Sequence, residues 1–142
     1  MSEDGDVHDD GEPRSRTWFA FAGDVAVLVV FVLVGRRSHH EDAGVAGFLR
    51  VWWPFAVALG AAWIVTGLWK APLAWVRAVA AWLITVALGM VLRITVQDRE
   101  FKVAFTIVTL LFVGAGMLGW RAVVRWRRAK VRLRRPSPAH TE

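Results

Sequence analysis

Apolar residues in this chain come in long blocks and do not alternate with polar ones. The stretches 18–34, 51–68, 74–92 and 103–120 hold between them one acid, Asp24, and one base, Arg77. The hydrocarbon core of a bilayer is about 30 Å thick and takes about 20 apolar residues of helix to cross. Each block is long enough, and each must be helical, because lipid offers no partner for backbone N–H and C=O groups. The pattern predicts an all-α fold: a transmembrane four-helix bundle with up-down topology. The connection Trp69-Lys70-Ala71-Pro72-Leu73 is short and turns the second and third spans into an antiparallel hairpin. Small residues at spacing four mark the seam between them: Ala58, Ala62 and Thr66 on one helix, and Ala81, Thr85 and Gly89 on the other. Pro54 is expected in the first turn of the second span, where its missing N–H costs nothing.

Charge assigns a direction to the spans. With both termini on the cytoplasmic side, that side holds twelve Lys and Arg residues against six on the other. The C-terminal tail carries the difference. The expected location is the inner (plasma) membrane, crossed several times. Trp18, Trp69, Trp75 and Trp120 then fall near the inner interface, and Trp52 and Trp53 near the outer one, the half-wet level an indole prefers. Trp63 and Trp82 lie deeper and are expected to pack.

Composition narrows the chemistry. The chain has 142 residues, 56% of them hydrophobic, and a mean hydropathy of +0.40. It has no Cys, so disulfides, thiolate metal sites and Cys nucleophiles are excluded. The net charge of +6 lies in an acidic N-terminal and a basic C-terminal segment flanking the apolar blocks. That distribution fits membrane topology, and no nucleic-acid partner is expected. No G-x-S-x-G, H-E-x-x-H, P-loop or Rossmann fingerprint is present. No catalytic residue and no cofactor is assigned.

Asp24 sits about six residues, near 9 Å at about 1.5 Å per residue, into the first span. A carboxylate at depth costs roughly 2.5–3.5 kcal/mol on insertion scales and should face a partner inside the bundle. Arg77, one turn into the third span from the same side, is the expected partner. The pair is read as structural, setting helix register; the competing reading makes Asp24 a proton or ion carrier.

The segment Gly35-Arg36-Arg37-Ser38-His39-His40-Glu41-Asp42 follows the first span. Adjacent His residues point apart, whereas helical metal pairs use spacing three or four, so no metal is assigned. Arg36, Ser38, His39, Trp53 and Arg93 all fall at the outer level. There they either gather around a lipid headgroup or another anion, or simply anchor the span ends. Together Gly35-Arg36-x-Ser38-His39, Trp53-Pro54-Phe55, Gly89-Met90-x-Leu92-Arg93 and Gly119-Trp120-Arg121, with Asp24 in the first span, give a specific pattern. It resembles the small prokaryotic membrane proteins grouped as domain of unknown function 3054. The likeness covers about residues 20–121. It implies a compact four-span membrane protein with no assigned activity, and makes Arg36, His39, Trp53, Pro54 and Arg93 a recurring outer-side set.

Three regions are expected: a disordered acidic tail over 1–16, the membrane domain over 17–121, and a basic cytoplasmic helix and tail over 122–142. Arg121, Arg125, Arg128, Arg132 and Arg135 share one helical face and are expected to bind anionic lipid of the inner leaflet, at about 1 kcal/mol per residue. The functional expectation is a structural or accessory membrane component. Its alternatives are a minimal transporter or channel, which requires a homo-oligomer because four thin helices enclose little space, and a membrane enzyme acting on lipid phosphate with His39 as acid–base.

Overall fold

The computed structural model describes residues 11–37, 44–98 and 100–133. Among these the chain forms α1 (Gly11–Arg37), α2 (Val45–Thr66), a 3₁₀ turn (Leu68–Lys70), α3 (Trp75–Gln97) and α4 (Val103–Leu133), with no strand. Each of α1 to α4 contains a segment long and apolar enough to cross a membrane. Each helix takes up most or all of one apolar block and extends past it at one end or both; Gly67, Leu68 and Ala74 of the blocks fall in the turn between α2 and α3. Residues 11–16, expected within the disordered tail, are the opening turns of α1; Pro13 lies in the first of these, where no intrahelical N–H bond is lost.

α2 begins at Val45, so Pro54 is inside the helix and not in its first turn. A helical proline has no N–H for the carbonyl four residues back, here that of Arg50. The Gln97 side-chain amide, at the end of α3, donates to that carbonyl instead. The interior proline is thus tolerated because α3 supplies the missing donor.

α2 stops at Gly67, which adopts the left-handed conformation at φ 60° and whose N–H bonds the Ile64 carbonyl at 3.2 Å. Residues 67–74 then turn the chain into α3. α2 and α3 form the most extensive helix pair, and α4 and α1 complete a ring in which α1 packs on α2 and α4. Ala58, Ala62, Ala81, Thr85 and Gly89 are buried, and Thr66 is half-buried. The Phe55 ring fills the space that a side chain on Gly89 would take. Gly114 does the same for Trp82: a Cβ there would lie 2.6 Å from the indole, whose Nε1 donates to the Leu110 carbonyl at 3.0 Å. The buried hydroxyls of Thr85 and Thr109 return to carbonyls four residues back, at 2.7 Å each, so neither needs a partner across the bundle.

Phe31 of α1 meets Phe55 of α2 and Phe105 and Phe112 of α4, with ring centroids 5.7–6.1 Å apart. Outside this core the helices are apolar too. Val30, Val57, Ile64, Leu83, Val91, Val108 and Leu111 are exposed. Only 22–33% of each apolar window is buried. A girdle of that extent would drive association in water, whereas acyl chains solvate it.

Candidate functional site: a buried carboxylate and its four donors

Asp24 faces inward from α1 and is fully buried, as is Arg121 of α4. The guanidinium grips the carboxylate with both terminal nitrogens, Nη1 to Oδ1 at 2.5 Å and Nη2 to Oδ2 at 2.6 Å. Two indoles complete the shell. Trp120 donates from Nε1 to Oδ1, and Trp63 from Nε1 to Oδ2, each at 3.0 Å. A carboxylate has about four lone-pair sites, and four N–H donors occupy them. Arg121 places two more of its donors on backbone: Nε on the Pro72 carbonyl at 3.0 Å and Nη1 on the Met117 carbonyl at 2.8 Å. The bidentate fork is the geometry that makes Arg–carboxylate pairs strong, and the extra bonds keep both charges solvated by protein. The Trp120 ring lies against α1 at Gly23, 3.4 Å from where a Cβ would sit.

The partner of Asp24 is therefore Arg121, not Arg77. Helical side chains lean toward the N-terminus of their own helix. α4 arrives at this end of the bundle, so Arg121 leans back into the core. α3 departs from it, so Arg77 leans outward, and its Nη1 bonds the Gly67 carbonyl at 3.0 Å. The same finding removes Arg121 from the expected lipid-facing set. Of that set, Arg125 is exposed and bonds the Leu73 carbonyl at 3.2 Å, and Arg128 is exposed. The side chain of Arg132 and all of Arg135 lie outside the described residues.

Trp63 and Trp120 carry a polar role that periodicity did not assign to them. Only the adjacency of Trp120 and Arg121, within the Gly119-Trp120-Arg121 motif, hinted at it. At the opposite end, Arg36 and Trp53 are half-buried, and Arg93 lays its guanidinium over the Phe105 ring, 4.3 Å from the centroid. Ser38 and His39 lie outside the described residues, as do His40 and Arg99. Among the described residues no group of three or more His, Asp or Glu could hold a metal ion.

Neither a curated protein nor a solved structure matches this sequence. The family described as Protein of unknown function (DUF3054) matches over residues 21–124, a span that includes Asp24, Trp63, Trp120 and Arg121, and the chain belongs to that family.

Proposed function

We propose that this protein is a structural or accessory component of the plasma membrane, an up-down four-helix bundle with both termini in the cytoplasm, and not a proton or ion carrier. One observation carries the reading: every lone-pair site of its intramembrane carboxylate is occupied by an N–H donor. A carrier carboxylate must exchange its partner with each turnover, whereas this one is clamped by a guanidinium itself tied to two carbonyls. The order of contacts supports the up-down arrangement: ascending α1, Asp24 and Phe31 meet Trp63 and Phe55 of α2 in descending order. The excess of basic residues at the end bearing the tails supports the cytoplasmic placement. At the other end, Arg36, Ser38, His39, Trp53 and Arg93 are assigned to an anion or lipid headgroup of the outer leaflet.

Flux in proteoliposomes tests this. The purified protein should leave proton and cation leakage at the level of empty vesicles. Flux above that level that is abolished by Asp24→Asn, in a variant that still folds, would replace this reading with a minimal oligomeric transporter. Tags on the two termini should both be reached only from the cytoplasmic side.

A further inference from the structure

The start of α1, the turn over residues 67–74 and the later part of α4 enclose a recess of about 460 Å³. Its walls include three cations, Arg16, Lys70 and Arg128, and three aromatic rings, Phe19, Trp69 and Trp120; among the described residues no acid lines it. We propose that this recess binds the headgroup of one anionic phospholipid. The proposal rests on the membrane-spanning reading and adds a defined lipid site to it.

The carbonyls of the turn would repel an anion, but three of them are already engaged. Trp69 accepts from the Thr17 hydroxyl at 3.2 Å, Pro72 from Arg121 at 3.0 Å and Leu73 from Arg125 at 3.2 Å. Arg121 is spent on Asp24. Among the described residues, the charge lining the recess is thus that of Arg16, Lys70 and Arg128, and several cations on different elements around one recess suit a phosphate. The volume lies within the range of roughly 300–1,000 Å³ typical of small-ligand sites. It accommodates a headgroup and leaves the acyl chains outside. Those chains have a path: Phe19 is 78% and Trp69 44% exposed, and Trp18 beside them is 71% exposed. This combination of half-wet rings and cations is that of the lipid interface. The chain's own acidic segment, residues 1–10, matches the charge but not the rings, since Met1 and Val7 are its only apolar residues.

The test titrates phosphatidylglycerol into the full-length protein in neutral detergent and reads bound lipid by native mass spectrometry, with phosphatidylcholine as reference. Phosphatidylglycerol should bind preferentially. Lys70→Gln with Arg128→Gln should weaken it about thirtyfold. Arg127→Gln with Lys130→Gln, which removes the same charge from exposed positions outside the recess, should change it less than about twofold. Arg16→Gln provides an independent variant with its own expected loss. Equal losses in the two double variants would overturn the site in favour of a diffuse basic surface. So would displacement of the lipid by an equal concentration of inorganic phosphate, which would make the ligand a free anion. A large gain in lipid binding when Asp4, Asp6, Asp9 and Asp10 are changed to Asn would assign the recess to the acidic segment. A protein that stays monodisperse without detergent would instead sink the spanning reading itself.

Discussion

At one end of the bundle, side chains from three helices converge on the backbone of the α2–α3 turn. Thr17 of α1 takes the Trp69 carbonyl, Arg77 of α3 that of Gly67, and Arg121 and Arg125 of α4 those of Pro72 and Leu73. The opposite half is built differently. Phe31 sits among Phe55, Phe105 and Phe112, the Phe55 ring presses on Gly89, and Arg93 covers Phe105. Helices in lipid gain little by hiding apolar surface from acyl chains, so they associate by directional polar contacts and by close fit. This molecule relies mainly on the first at one end and mainly on the second at the other, where the Gln97 bond to the Arg50 carbonyl is a polar exception. The polar end should therefore fail when a partner is removed, and the aromatic end when volume is added.

The largest effect is expected at the charge pair. Arg121→Ala leaves a buried carboxylate with two indoles alone and should cost about 3–5 kcal/mol. The readout is the midpoint of thermal unfolding in mild detergent. Asp24→Leu combined with Arg121→Met should recover part of that loss, because both charges are then gone; no recovery would mean that the pair contributes net stability of its own. Next comes Gly89→Leu, which drives a side chain into the Phe55 ring and should cost about 3 kcal/mol; an unchanged midpoint would show that the α2–α3 seam is loose. Trp63→Phe keeps an aromatic side chain but removes one charge-assisted hydrogen bond, at about 2 kcal/mol, together with the buried volume of the second ring. Gln97→Ala frees the Arg50 carbonyl beside Pro54 and should cost about 1 kcal/mol or less, the smallest effect and the one that measures how much the proline depends on α3.

The four helices were legible because a bilayer demands length and apolarity of each segment separately, and blocks such as 103–120 display both. That Asp24 would face inward followed from the same cost. Its partner was not legible from depth alone. Arg77 and Arg121 both lie near the correct end, and what separates them is the lean of a helical side chain relative to the direction in which its helix runs. Arg121 was further disguised as the first of a row of surface arginines. Pro54 misled for a related reason: its tolerance depends on Gln97, which is 47 residues from the carbonyl it serves. The Trp82 indole over Gly114 is another long-range fit, and a one-dimensional pattern does not record which ring fills which gap.

Asp24 and Arg121 are 97 residues apart in the chain, and this has a consequence for biogenesis. At about 5–20 residues per second, the first helix enters the bilayer several seconds or more before the ribosome makes its counter-ion. Throughout that interval the carboxylate lacks its counter-ion and can have at most the Trp63 indole of α2 as one of its final donors. Assembly thus has an enforced last step, the arrival of the fourth helix, and a prematurely ended chain lacks the signal that the job is done. Pulse-labelled product stopping after Trp120 should be cleared by quality-control proteases faster than product reaching Leu133; equal lifetimes would show that the delay is harmless.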